Sequence, residues 1–344
     1  MTTSARISYV IMAALLVLVG WLHVATLVLT AFFGYFALNF LSCGRSKLLG
    51  VTLYLILVAG IGYGLFYFSS QAYKTLPKIA DESIPAVVNY AERQGIELPF
   101  TDYASLRTLA LEGVKDRLAN LGRYAREFVL QLAMLVIGLV VALSMFINAR
   151  WEVEDDPNVV KGSLYSTVAH ELADRVATFY QSFATVIGAQ LIISLINTAL
   201  TSVFLVWNGF PYMSVILVLT LLFGLLPIIG NILSNTLIVG VGFTLSPRMA
   251  LISLVFLVVI HKLEYFLNSK IIGDRIKNPM WLTLIGLVIG EKLMGIPGMI
   301  LAPVVLHYIK VEASRNKLSE ATAAPNPSPS PRSGQPAKTA EKAG

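Results

Sequence analysis

Length, composition and charge already exclude most protein classes for this chain of 344 residues, of which 56% are hydrophobic and only 13% charged, with a mean hydropathy of +0.71. Soluble domains carry about 25% charged residues, so this is the composition of an integral membrane protein. The net charge of +6 is no nucleic-acid signature, because the basic residues cluster beside apolar runs, and a single cysteine, Cys43, excludes an internal disulfide and a cysteine-rich metal site.

Ile7 to Ser42 is one apolar run. As a single helix it would reach ~54 Å, too long for one upright span, so it predicts two short helices meeting near Gly20 to His23. Arg6 ahead of the run gives the start a signal-peptide look. The apolar character continues to Leu41, beyond an h-region, so a retained membrane helix is expected. Arg45 and Lys47 mark a cytoplasmic turn. Leu49 to Ser69 is the next span, and its Gly60, Gly62 and Gly64 suit close helix packing, within the chain or against a second copy in a homo-oligomer. Residues 1–69 are thus an N-terminal transmembrane unit.

From Ser70 to Arg126 charged residues of both signs appear throughout. Pro85 to Glu97 reads as one helix. Leu106, Ala110, Val114, Leu118 and Leu121 recur at the period of a second, amphipathic one. The expectation for 70–126 is a small helical extracytoplasmic insert. Phe128 to Asn148 is again a span, followed by an acidic loop. Ser163 to Arg175 reads as an amphipathic helix leading inward. Its His170-Glu171-Leu172-Ala173-Asp174 has a superficial zinc-protease look but lacks the second histidine, and is read as a solvated helix face. No metal or cofactor is expected.

Val176 to Pro247 contains no Asp, Glu, Lys or Arg. Its length holds about three spans, broken at Phe210-Pro211 and between Leu225 and Asn231. Proline removes a backbone donor, so Pro227 to Gly230 is not expected to be continuous helix. At membrane depth the freed backbone groups are tolerated only inside protein or beside a watery cavity, the setting of a transporter site. Gln190, Ser194, Asn197 and Thr201, at helical spacing, share one face of a span. They are either interhelical hydrogen-bonding groups or, with Pro227, Gly230 and Asn231, a wall of the substrate path.

Met249 to Ile260 is a further, short span, and the segment from Lys262 to Lys277 is charged. Trp281 to Ile309 forms two short apolar pieces around Gly290 to Gly298, a helical or re-entrant hairpin. Residues 127–312 make up the transmembrane core. The Pro-, Ser- and Ala-rich tail, 313–344, is expected to be disordered and cytoplasmic. The fold class is an all-α polytopic bundle of about eight spans with broken or re-entrant helices. The basic short loops put both termini in the cytoplasm of a cell that carries the chain in its inner or plasma membrane.

In the C-terminal third the residues resemble the autoinducer-2 exporter family, the PerM-like permeases. The likeness is carried by Gly224-Leu225-Leu226-Pro227-Ile228-Ile229-Gly230, by Lys262-Leu263-Glu264-Tyr265-Phe266-Leu267-Asn268-Ser269-Lys270-Ile271-Ile272-Gly273, and by Met294-Gly295-Ile296-Pro297-Gly298-Met299-Ile300-Leu301-Ala302-Pro303. The resemblance implies that Lys270, Gly273, Gly295, Pro297, Gly298 and Pro303 are structural motif positions. It departs at Ser269, where family members usually carry proline, and at Arg275-Ile276-Lys277-Asn278-Pro279. It also implies transport, in some members of signal molecules and in others of sodium against protons.

Three functional expectations follow. The first is a secondary transporter exporting a small polar solute, with Glu264 and Glu291 as ion-coupling carboxylates, since an intramembrane carboxylate is a functional candidate. The second is a sodium–proton antiporter, which needs a protonatable group at depth and finds only Glu264, Glu291, His261 and His307 outside the uncharged run. The third is a membrane scaffold whose insert binds a partner. Without a Ser/His/Asp, HExxH or clustered cysteine motif, an enzyme is not expected.

Overall fold

The computed structural model describes residues 2–42, 46–95, 121–148, 162–226, 229–272 and 279–315, and within them the chain is helical with no strand. In chain order the helices are α1 (Thr3–Trp21), α2 (Ala25–Ser42), α3 (Lys47–Arg93), α4 (Leu121–Ile147), α5 (Leu164–Trp207), α6 (Met213–Phe223), α7 (Ile229–Leu245), α8 (Pro247–Ile272), α9 (Met280–Met294) and α10 (Ile296–Arg315). Six stretches among them are long and apolar enough to cross a membrane: Thr3–Trp21, Ala25–Ser42, Lys47–Arg93, Arg126–Ile147, Leu164–Trp207 and Ile296–Ser314. Their outer faces carry large apolar side chains such as Phe66, Val140, Val203 and Ile309, all exposed, which is the surface a polytopic helical membrane protein presents to lipid.

The first run divides as its length requires. Thr2 caps α1 by accepting from the Ala5 amide at 3.2 Å. The helix stops at Trp21, His23 turns the chain with φ 55°, and α2 begins at Ala25. Two elements differ from the sequence expectation. α3 is one helix of 47 residues, ~70 Å long, running through Pro77 and Pro85 with no break at Ser69. The change of composition at Ser70 falls inside the helix and not at its end, and Pro85 begins no separate helix. Likewise Ser163 to Arg175 is the opening of a single 44-residue helix, α5, capped by the Ser163 hydroxyl. Of the helix expected from Leu106 to Leu121 only Leu121 is described, as the first residue of α4, and the acidic loop and the tail beyond Arg315 lie outside the described residues.

Three apolar clusters hold the helices. Met12, Leu29, Phe32, Phe179, Phe183, Ile187, Leu301, Val304 and Tyr308 join α1, α2, α5 and α10, with rings such as Phe33 and Phe183 meeting edge to face at 5.1 Å. Leu38, Tyr54, Ala142 and Phe146 join α2, α3 and α4. Ile79, Leu205, Phe210, Ile216, Ile238, Val241 and Leu257 join the far part of α3 to α5, α6, α7 and α8.

That third cluster fixes the path of the uncharged run. The end of α5 (Leu205), the start of α6 (Ile216) and the end of α7 (Ile238, Val241) all meet in it. α6 has 11 residues, ~16 Å, too few to cross a bilayer. α6 therefore runs in and α7 returns to the same side, so the run is one crossing helix and a hairpin where length alone suggested three spans. α9 and α10 form a second hairpin at Gly295, φ 65°, with Gly290 and Gly298 packed backbone to backbone so that a Cβ on either would meet the other's carbonyl. At the opposite termini, Tyr9 donates to Glu312 at 2.9 Å, so the start of α1 and the end of α10 lie on one side of the bundle.

Candidate functional site

The break between α6 and α7 is built from orphaned backbone. The last carbonyls of any helix lack intrahelical partners. Here the polar face of α5 supplies them: Ser194 Oγ donates to the Leu221 carbonyl at 2.9 Å and Gln190 Nε2 to the Gly224 carbonyl at 2.6 Å. Beyond the break α7 passes so close to α6 that a Cβ on Gly230 would run into the Phe223 carbonyl oxygen. Only glycine fits there.

One further step along α5, Asn197 leaves the backbone and turns to a carboxylate. Asn197 Nδ2 donates to Glu264 Oε2 at 3.3 Å, and Asn231 Nδ2, in the first turn of α7, donates to Oε1 at 3.0 Å and Oε2 at 2.9 Å. The N-terminal end of a helix carries partial positive charge and favours an anion beside it. His261, one turn before Glu264 on α8, brings Nδ1 to 3.6 Å from Oε2. Its other nitrogen, Nε2, accepts from Asn235 Nδ2 at 2.6 Å. Asn231 and Asn235 are four apart on α7, and His261 and Glu264 three apart on α8, so two matched helix faces form a polar seam that Asn197 closes from α5. The Glu264 side chain is 14% exposed and that of His261 38%. Asn197 Oδ1 is buried and accepts no hydrogen bond among the described residues.

The structure thus brings Gln190, Ser194, Asn197, Asn231 and Glu264 together, with Gly230 at the close approach beside them. Thr201 lies farther along the same face of α5, buried. Pro227 and Gly273 lie outside the described residues, and of Lys270 only its place in α8 is described. Gly295, Pro297, Gly298 and Pro303 belong to the α9–α10 hairpin. Glu291 is at that hairpin, half-exposed and 3.9 Å from Lys292 Nζ, and among the described residues it makes no hydrogen bond or ion pair to the seam. Asn235 is the seam residue that sequence reasoning missed, and its four-residue spacing from Asn231 is the signal that could have found it. A groove of about 620 Å³ between α1 and α10, lined by Arg6, Tyr9, Leu16 and Tyr308 among others, is separate from the seam.

The segment read as a solvated face divides in two. His170 and Asp174 are exposed, 4.0 Å apart. Glu171 instead faces α1, where its carboxylate accepts from Ser4 at 3.0 Å and Ser8 at 3.2 Å and lies 3.3 Å from Arg175. Among the described residues no three His, Cys, Asp or Glu side chains gather where a metal could be held.

With the seam and the two hairpins placed, comparison with known families is decisive for the class. The model of the AI-2E family transporters matches residues 7–313. The chain belongs to the AI-2E family of transporters. Within Bacillus subtilis (strain 168) it is similar to the protein named "Putative transport protein YdbI", 28% identical over 150 residues, which are 43% of this chain and 43% of that one. It is also similar to "Putative transport protein YueF" of the same organism, 32% identical over 142 residues, 41% of this chain and 36% of the relative. The chain therefore spans less than half the length of these curated relatives. The AI-2E match runs through every described helix, so the seam lies within the family's own body and not in an appended domain.

Proposed function

We propose that this AI-2E family member is a secondary transporter that exports a small polar solute along the seam between α5, the α6–α7 hairpin and α8, with Glu264 as its ion-coupling carboxylate. The observation that carries this reading is the Glu264 carboxylate, largely buried and held by the amides of Asn197 and Asn231 beside a broken helix. A charge inside a membrane bundle is costly and is retained where it serves a pathway. The hairpin supplies backbone polar groups for a solute, and Gln190 and Ser194 hold those groups in place. In this reading the chain is not an enzyme, it sits in the inner or plasma membrane, and both termini are cytoplasmic. Residues 70–126 form its extracytoplasmic insert. Self-association is part of the same reading, through the face of α3 where Gly60, Gly62 and Gly64 have nothing within 4 Å. Gly62→Leu is then expected to lower the mass of the detergent-solubilised particle by light scattering.

A panel of labelled small polar solutes, autoinducer-2 included, tested for uptake into liposomes holding the purified chain, decides the transport claim. An imposed pH or sodium gradient is expected to drive one of them through the native chain. Glu264→Gln is expected to lose the gradient dependence by at least about tenfold with the folded yield unchanged. A sodium–proton antiporter is the second reading, favoured by the presence of His261 beside Glu264. It predicts that a pH-sensitive dye inside responds to sodium with no solute present. A silent dye and an unmoved panel would leave the scaffold reading.

A further inference from the structure

The heavy-atom contacts of the seam imply one arrangement of hydrogen atoms. An amide nitrogen has hydrogens to give and no lone pair to offer, so His261 Nε2, accepting from Asn235 Nδ2 at 2.6 Å, carries no hydrogen. The ring hydrogen is therefore on Nδ1, the nitrogen 3.6 Å from Glu264 Oε2. Glu264 receives N–H groups from Asn231 on both oxygens and from Asn197 on one, the pattern of an ionised, acceptor-only carboxylate. The seam as built contains a neutral imidazole and one negative charge. It can take up one positive charge.

We propose that this charge is a proton, held by the His261–Glu264 pair, and that Asn235 is the positioning residue that sets which ring nitrogen is free to receive it. This rests on the transport reading only in naming the proton as the coupling ion. The chemistry favours a proton over sodium because hard cations take oxygen ligands, whereas the groups facing Glu264 offer it N–H. Among the described residues, Asn197 Oδ1 is buried and has no hydrogen-bond partner, a single amide oxygen beside the carboxylate. A proton needs one lone pair. Arriving from water, it bonds to His261 Nε2 while the Asn235 amide turns end for end, so that Oδ1 accepts the new N–H. The imidazolium then faces the Glu264 carboxylate, and the seam goes from one negative charge to none. No other bond forms or breaks, and release reverses the step. His261 is the entry point, being the more exposed of the pair.

Of the helices packed on α8, α7 carries no titratable residue, and α5 carries Tyr165, His170, Glu171, Asp174, Arg175 and Tyr180 in its first half and none from Gln181 to Trp207, the part that holds Asn197. On α8 itself, among the residues whose side chains are described, Arg248 and Lys262 are exposed.

The test is nitrogen NMR of the full-length chain with labelled histidine, the four ring signals of His23, His170, His261 and His307 being assigned by His261→Gln. The Nδ1–H form is expected for His261 at neutral pH. Glu264→Gln is expected to weaken proton binding at His261 about tenfold or more, about one pH unit of midpoint. Asn235→Asp, an acceptor only, is expected to move hydrogen onto Nε2 and raise the midpoint, and Asn235→Leu to weaken the preference for Nδ1, leaving only the part that Glu264 imposes. A purely structural asparagine would change none of these signals in that order. Both Glu264→Gln and Asn235→Asp preserve side-chain shape, so a lost fold in the leucine variant leaves the test intact. A wild-type ring with hydrogen on Nε2, a midpoint indifferent to Glu264→Gln, or a midpoint displaced by added sodium chloride overturns the proposal. Ring signals as expected, with no solute or dye flux under any gradient, would instead overturn the transport reading and leave the proton pair standing.

Discussion

Arg175 shows how much one side chain can hold at the residue scale. It is buried on α5, donates to Glu171 at 3.3 Å and to the Ala5 carbonyl at 3.4 Å, and lies 3.8 Å over the ring of Tyr9. Arg175→Ala leaves the Glu171 carboxylate without its cation and removes the stacking partner of Tyr9, which itself bonds α10 through Glu312. The expected cost is about 2–3 kcal/mol, read as a lower melting temperature in detergent. Arg175→Lys recovers only part, because an ammonium cannot donate two ways and stack at once. One residue earlier, Asp174→Ala should change stability by less than about 0.5 kcal/mol, since its pair with His170 is solvent-exposed. A similar melting temperature for the two alanine variants would refute the distinction. The sequence presents His170 to Arg175 as one charged helix face. What separates Glu171 from its neighbours is Ser4 and Ser8, more than a hundred residues away, and no local pattern carries that information.

At the scale of elements, hydrophobic length is legible and helix continuity is not. The division of the first run at His23, the span around Phe128 to Ile147 and the hairpin at Gly295 follow from apolar length and from glycine or proline at the joint. The long α3 does not, because an apolar-to-polar change looks the same whether the helix stops or merely leaves lipid. Its outer part is held by packing: Ile79 is buried with Leu205, Phe210, Ile216 and Ile238, and Tyr90 meets Phe243 at 5.4 Å between ring centres. Tyr212, in a left-handed turn before α6, donates to Glu82 at 2.7 Å, a bond that raises the phenol above its ordinary range. Ile79→Ala is expected to cost about 2–5 kcal/mol and to free the arm, opening the bonds after Lys74 and Lys78 to trypsin. Unchanged digestion would mean that the arm is held by its polar contacts instead.

Across the whole molecule, the seam was half legible. A polar stripe on α5 and a proline–glycine break in an uncharged run both announce themselves, but their meeting with α8 depends on how the hairpin folds back. The two hairpins are built differently. α9 and α10 lock through the Gly290–Gly298 backbone contact, whereas the tip of α6–α7 is held to α5 by the two side-chain bonds of Gln190 and Ser194. Two such bonds, each worth about 1 kcal/mol net, can be exchanged for solute or water without unfolding the bundle. The tip is therefore the element expected to move against α5 when a solute passes. Ser194→Cys with Gly224→Cys, in a Cys43→Ser background, tests this directly. A Cβ on Gly224 would lie 2.9 Å from that of Ser194, within about 1 Å of the spacing a disulfide takes. Oxidation should stop gradient-driven flux in liposomes, and reductant should restore it. Full flux through the oxidised form would mean that α5 and the tip travel as one body, and the moving boundary would then have to lie on the other side of the seam, between α7 and α8.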